Sequence, residues 1–387
     1  MKISILKESL CLGGTERSAA NISKAICKNH EVYFTVYDSS KLEYAYGGKL
    51  MDLHAAPRTG ALGKIYNSFI RAYRYNHFIK DKKIEILFEF ISIHNPLSML
   101  KHPNQIRIIA SRNYAALEKY PQRYYKCLKR ADAVLCNSEY LRNYYITHFP
   151  DQRGKAFCVY NIIDQDEINR QKLEPVDGLF LKFLSEHQRN IVAVGRFCKE
   201  KGFEYLLKSF SIARKKNPDL GLVMVGDGPF RKKYEDVIQQ EKIYDHVYFT
   251  GFQSNPYKFM AKCNCFVLSS LTEGFPNVLA EAMALELPVI STNCYTGPAE
   301  ILRSDRDYTA VRDSFQFCDY GILAPRMAEA NNGHAVSELA RAIDSLLSDE
   351  FLMQKYAALS KQRVEKFSEE EASRQLNDIF DDLVRIK

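Results

Sequence analysis

The sequence predicts an α/β protein of two domains with parallel sheets, and three observations support that prediction. Short apolar runs alternate with stretches of helical periodicity along the whole chain, the pattern of strand–helix–strand units whose strands run parallel. The chain has 387 residues, 46% of them hydrophobic, which is enough for more than one core. Between about Gln165 and Arg189 the strand signals vanish and Asp, Glu, Lys and Gln dominate, which places a linker there. The expected domains are 1–170 and 186–367, followed by a helix over about 368–387.

In the first half the expected strands are Ile3–Leu6, Val32–Val36, Ile84–Phe88, Arg107–Ala110, Ala133–Cys136 and Phe157–Tyr160. Thr15 is expected to cap a helix over Ser18–Cys27. In the second half they are Ile191–Val194, Leu222–Val225, Val247–Thr250, Cys265–Leu268, Val289–Ser291 and Gly321–Leu323. Helical periodicity returns from Val336 to the C-terminus, and no internal repeat or low-complexity tract interrupts the series.

Composition excludes several classes. No apolar run reaches the roughly 18 residues needed to span a bilayer. Lys7 and Glu8 interrupt the opening strand too early for a signal-peptide core, so a cytoplasmic protein is expected. The ten cysteines are scattered without a C-x-x-C pair, and Cys263-x-Cys265 is strand alternation rather than zinc spacing. Asp164-x-Asp166 and Asp305-x-Asp307 lie in polar stretches with no buried strand before them. They read as surface turns, and neither a metal nor a resident cofactor is expected.

Charge is uneven. Residues 1–165 carry 25 Lys+Arg and 14 Asp+Glu, a net of +11, and the remainder is net −4. A basic N-terminal half points to an anionic partner: nucleic acid, an anionic membrane surface or a polyprenyl diphosphate. In Ala61–Lys83, Lys64, Arg71 and Arg74 flank a stripe of Ile65, Phe69, Tyr73 and Asn76. Such a helix can lie in a headgroup plane or grip a lipid diphosphate, or it can be an ordinary packed helix with a solvated basic face. Lys119–Arg130 also mixes cations with tyrosines, a pattern that suits nucleic acid.

The most informative segment is Glu273-Gly-Phe275-Pro276-Asn277-Val278-Leu279-Ala-Glu281. The apolar run Phe266–Leu268 leads into it, Ser269, Ser270 and Thr272 make the turn, and Pro276 stands where a first-turn proline is tolerated. One carboxylate then sits at a strand end, beside the free N–H groups of a helix start, and the second lies about one turn in. This geometry suits a sugar nucleotide: diphosphate on the helix N-terminus, Glu281 on the ribose, Glu273 on the sugar. Two solvated glutamates on a plain strand–turn–helix satisfy the same spacing. Elsewhere, Arg196 and Lys201 project from a second strand–loop–helix junction, Val194-Gly-Arg-x4-Lys-Gly202, where cations can neutralise a diphosphate. Gly226-Asp-Gly-Pro229 ends a third strand in a tight turn.

In this order, with Pro288–Thr292 and Gly297-Pro-Ala-Glu-Ile-Leu302, these motifs resemble the retaining glycosyltransferases of family 4. The resemblance is continuous from about 188 to 303. It is thinner in Leu12-Gly-Gly-Thr-Glu16, Ser111-Arg-Asn113, Asn137-Ser-Glu139 and Asn161-Ile-Ile-Asp164.

The resemblance implies the GT-B architecture, two facing Rossmann-like domains with a cleft between them and the last helix crossing back onto the first. It implies Arg196, Lys201 and Glu273 at the reacting centre. Gly13, Gly14, Gly226, Phe275, Pro276, Asn277, Val278, Leu279 and Glu281 are implied around the donor. Val278 and Leu279 would offer backbone N–H groups. Ser111-Arg112-Asn113 stands where many members carry a histidine, and resembles a Ser-Glu-Arg-Asn variant without its acidic residue. Arg112 is then expected to bind an anion of acceptor or donor, while His94 reads as a loop histidine. The implied reaction is metal-independent transfer of a hexose or N-acetylhexosamine from a UDP-sugar. The acceptor would be a lipid-linked saccharide in surface polysaccharide assembly, at the inner face of the cell membrane, and no nucleic acid is involved. A GT-B epimerase and an inactive sugar-nucleotide-binding protein are the rival readings. The ordered motifs and the intact Arg196, Lys201, Glu273 and Glu281 argue against them.

Overall fold

The computed structural model describes residues 1–11, 13–90, 102–294, 296–305, 313–327 and 332–387. Leu12, His94 and Asp307 lie outside the described residues. The chain forms two compact units, Met1–Ile162 with Phe367–Lys387, and Ile163–Lys366.

The first unit runs β1 (Lys2–Lys7), α1 (Gly14–Ile26), β2 (Glu31–Val36), β3 (Lys49–Asp52), α2 (Ala61–Lys82), β4 (Ile86–Glu89), β5 (Ile106–Ser111), α3 (Tyr114–Lys119), α4 (Pro121–Leu128), β6 (Ala133–Cys136), α5 (Glu139–His148) and β7 (Ala156–Cys158). Among the described residues its sheet has the order β3-β2-β1-β4-β5-β6-β7, and every pairing is parallel. The order reverses between β1 and β4, so this unit has a topological switch point there. Ile3, Ile5, Phe34 and Phe88 form its core with Ala19 and Ile22 of α1.

The second unit runs α6 (Gln165–Gln171), α7 (Gly178–Glu186), β8 (Arg189–Val194), α8 (Phe203–Arg214), β9 (Leu220–Val225), α9 (Arg231–Glu241), β10 (Val247–Gly251), α10 (Tyr257–Met260), β11 (Cys265–Leu268), α11 (Asn277–Ala284), β12 (Val289–Thr292), α12 (Pro298–Leu302), β13 (Gln316–Phe317), β14 (Ile322–Ala324), α13 (Asn332–Leu347) and α14 (Glu350–Val364). Its sheet has the order β10-β9-β8-β11-β12-β14-β13, parallel except for β13. The reversal falls between β8 and β11. The last helix, α15 (Glu369–Ile386), belongs to the first unit. Its Leu376, Ile379, Phe380 and Leu383 enter that core, and Ser373 donates to the Ala25 carbonyl of α1 at 3.0 Å.

Several expectations change. The stretch expected to be a linker holds α6 and α7, both capped by aspartates. Asp164 accepts from the Glu167 N–H and Asp177 from the Phe180 N–H, each at 2.9 Å. Asp164 is therefore a cap rather than a surface turn. Phe180 of α7 packs on Tyr248 and Phe259, which ties the helix to the second unit. Thr15 caps nothing, because α1 starts at Gly14 with Gly13 in the cap position. Strands β3 and β13 are additions; both are short edge strands with much exposed surface and no buried apolar run to reveal them.

Candidate active site

In the second unit three strand-to-helix loops gather at the C-terminal ends of β8, β11 and β12, which are neighbours in the sheet. The first loop, 195–202, carries Arg196 and Lys201. The second, 269–276, carries Glu273. The third, which includes Asn293, Cys294, Thr296 and Gly297, braces the second through Thr296. Lys201 and Glu273 are 72 residues apart in sequence and meet at the switch point: Nζ to Oε1 is 2.6 Å.

The loops fold this way for local reasons. Gly202 has φ +62°, and a side chain there would run into the Ser269 carbonyl, so only glycine turns the chain into α8 this close to the second loop. The Ser269 hydroxyl donates to the Lys201 carbonyl at 2.9 Å, and the Leu271 N–H to the Glu200 carbonyl at 2.8 Å. Ser270 donates to Glu273 Oε1 at 2.7 Å. The Thr292 hydroxyl holds the Ser270 carbonyl at 2.7 Å, and the Thr296 hydroxyl bonds the Glu273 carbonyl. Glu273 is thus fixed at its backbone and at one carboxylate oxygen, while Oε2 bonds to none of the described residues. Sequence reasoning took Ser269 and Ser270 as turn formers and missed Thr296. Hydroxyl residues clustered at successive strand ends were the available signal.

The charges are set by their surroundings. Burial opposes the charge on Lys201, but the adjacent Glu273 carboxylate outweighs it and holds the ammonium above the ordinary lysine range. Burial, reinforced by Glu273, pushes the neighbouring Cys294 thiol well above its ordinary range, so it stays protonated. Arg196 is exposed and makes no hydrogen bond or ion pair with the described residues, so its guanidinium is open to an incoming anion.

The donor-side residues divide. Phe275 and Pro276 are buried beneath the start of α11, and Asn277 opens the helix. The Val278 N–H meets no acceptor among the described residues and is available to an anion. Leu279 is a correction: its N–H is taken by the Pro276 carbonyl at 2.9 Å, because the first turn tightens. Glu281 is buried in α11 and already engaged rather than solvated. Gly226 is also different from expectation. It is buried with φ +144°, and a side chain there would overlap the Gly195 carbonyl. The Gly226–Pro229 turn therefore supports the first loop from below, with the Phe197 N–H donating to the Asp227 carbonyl at 2.8 Å.

The remaining expected residues belong to the first unit. Gly13 and Gly14 open α1; the Gly13 N–H donates to the Tyr44 hydroxyl at 3.3 Å, and Gly14 borders open space. Arg112 stands just past the end of β5. Lys64 is exposed on α2. Arg71 and Arg74 are not simple flanking charges: Arg71 donates to the Ala55 carbonyl at 2.9 Å, and Arg74 to the Leu53 and His54 carbonyls at 2.7 Å each. Free carbonyls in the loop after β3 recruited them. The expected stripe faces outward, with Ile65 56%, Phe69 72% and Tyr73 71% exposed and Leu62 beside them, while Tyr75, Phe78 and Ile79 face the core. Asn76 is only half-exposed and does not extend the stripe.

Two sequence profiles match the chain, glycosyltransferase family 4 over residues 12–167 and glycosyl transferases group 1 over residues 181–314. The chain is 25% identical to an N-acetylgalactosamine-N,N'-diacetylbacillosaminyl-diphospho-undecaprenol 4-alpha-N-acetylgalactosaminyltransferase of Campylobacter jejuni, over 96% of this chain and 97% of that one. It is 31% identical to an uncharacterized glycosyltransferase of Methanocaldococcus jannaschii, over 59% of this chain and 58% of the relative's length. Among solved structures, HepE of Anabaena in complex with UDP and glucose superposes with a TM-score of 0.73 at 16% identity, covering 99% of this chain and all of that one.

Proposed function

The chain belongs to glycosyltransferase family 4 and has the GT-B fold, and from that premise we propose that it moves a hexose or N-acetylhexosamine from a UDP-sugar to a polyprenyl-diphosphate-linked oligosaccharide, with retention and without a metal, in surface polysaccharide assembly. The single observation that supports this reading is the Lys201–Glu273 pair at the switch point, beside the open N–H of Val278. A diphosphate arriving there meets Lys201, Arg196 and the helix start, three positive elements in place before the reaction. Departure of the nucleotide develops negative charge on the leaving phosphate, and a lysine held protonated stabilises it. Glu273, gripped through Oε1, presents Oε2 to a sugar hydroxyl. Its engagement with Lys201 suits it to orientation rather than to covalent attack. UDP as the nucleotide draws on the HepE complex, and the lipid-linked acceptor on the Campylobacter relative's name. The outward apolar stripe of α2, in a half of net charge +11, fits a protein that works against an anionic membrane surface. Among the described residues no helix is long and apolar enough to cross a membrane.

The test is incubation with a panel of UDP- and GDP-sugars and prenyl-diphosphate-linked saccharides, with and without EDTA, read by mass spectrometry. One donor should add one hexose or N-acetylhexosamine in both buffers. Donor epimerisation, or no product from any pairing, would overturn the proposal.

A further inference from the structure

Two arginines on or beside β5 receive opposite treatment. Arg107, fully buried, is met by Glu89 through two parallel bonds, Nε to Oε1 at 3.1 Å and Nη2 to Oε2 at 2.7 Å. Arg112, five residues on, has no such partner. Its Nη1 donates to Asn161 Oδ1 at 3.0 Å, an oxygen to which the Ser18 hydroxyl of α1 also donates at 3.0 Å. Its Nε and Nη2 are sealed from solvent, and neither has a hydrogen-bond acceptor among the described residues. The guanidinium carbon lies 5.3 Å from the centre of the Phe90 ring, so one flank is apolar. Among the described residues no carboxylate reaches it, and the ionisable groups that act on its charge are the thiols of Cys136 and Cys158. Burial pushes its pKa down to about 10, which still leaves it charged at neutral pH.

A charged fork with two buried, unsatisfied donors is costly, because those N–H groups have lost water and gained nothing. The fold supplies Arg107 with a matching carboxylate from the neighbouring strand β4, Glu89, and supplies none to Arg112 among the described residues. Nε and Nη2 are the edge that receives two oxygens of a phosphate side by side. We propose that Arg112, oriented by Asn161 and Ser18 and backed by Phe90, is a receptor for a substrate diphosphate in the first unit. This rests on the transferase reading for the identity of the substrate, and both a nucleotide-sugar donor and a prenyl-diphosphate acceptor carry that chemistry.

The experiment is calorimetric titration of the full chain with inorganic pyrophosphate, UDP and farnesyl diphosphate, for the unaltered protein, Arg112→Gln and Arg112→Lys. Arg112→Gln removes the charge; Arg112→Lys keeps the charge and removes the fork, and serves where the glutamine variant fails to fold by circular dichroism. Pyrophosphate affinity should fall at least about tenfold in Arg112→Gln and by less in Arg112→Lys. An accompanying loss for UDP alone assigns the site to the donor; one for farnesyl diphosphate alone assigns it to the acceptor. Unchanged affinity for all three in folded variants would overturn the inference. The titration needs no turnover. A chain that binds pyrophosphate through Arg112 but transfers no sugar sinks only the transferase reading, and one that transfers sugar with binding indifferent to Arg112 sinks only this inference.

Discussion

Replacing Lys201 with methionine removes a cation and keeps most of its aliphatic stem. In the free protein the change strands Glu273, whose gripped oxygen keeps only the Ser270 hydroxyl at 2.7 Å. Breaking a fully buried pair from one side costs about 3–5 kcal/mol, and an exposed pair is worth under about 1 kcal/mol. With side-chain exposures of 23% and 13%, this pair lies between those limits, and a loss of about 2 kcal/mol is expected. With the donor bound, the loss falls on the leaving diphosphate. Removing one preorganised donor from developing negative charge costs about 3–4 kcal/mol, a drop of roughly 10²–10³ in kcat. The variant Lys201→Met with Glu273→Gln separates the two effects, because neutralising the stranded carboxylate should restore stability without restoring the rate. Urea denaturation measures the first quantity, and initial rates of nucleotide release measure the second. An unchanged rate in Lys201→Met, or a rate that recovers together with stability in the double variant, would refute the clamp.

Three further outcomes are expected. The folded pKa of Lys201 lies above its unfolded value, so its stabilising contribution is complete below that unfolded value and is lost only as pH rises through the folded one. Turnover should therefore show no lysine-dependent decline between about pH 7 and 9; an alkaline limb in that window that moves in Lys201→Arg would contradict this. Gly202→Ala forces a side chain into a left-handed turn against the Ser269 carbonyl, so urea melts should show a loss of about 1–3 kcal/mol, and equal stability would show that the two loops can separate freely. Phe69→Ser with Tyr73→Ser and Lys64→Glu should weaken binding to vesicles containing anionic lipid far more than Lys215→Glu in the second unit, with release at high salt. Equal effects, or binding indifferent to salt, would make α2 an ordinary solvated helix.

Much of the architecture was written locally. Buried parallel strands such as Cys265–Leu268 are continuous apolar runs, whereas caps were harder to read: Asp177 caps a helix in the stretch expected to be a linker, and the expected Thr15 caps none. The motif residues were equally legible, because Gly195-Arg196, Lys201-Gly202 and Glu273–Glu281 each follow such a run. Edge strands were not legible: β3 is four residues long, half of them charged and none fully buried, so its pattern carries little signal.

What the sequence could not decide was which of these residues meet, and which groups are already used. Lys201 and Glu273 become partners only because β8 and β11 are neighbours in the sheet, a pairing set by how the strands order rather than by any nearby residue. Gly226 serves packing because the Gly195 carbonyl lies where its side chain would be, and Leu279 loses its N–H to a tightened first turn. Arg71 and Arg74 are spent on backbone carbonyls, whereas Arg112 is half-buried with Nε and Nη2 shut off from solvent and no counter-charge among the described residues. Hydrogen-bond satisfaction and burial belong to the assembled neighbourhood of a side chain; a lone sequence specifies the donors and acceptors, and the tertiary structure decides which of them remain for a substrate.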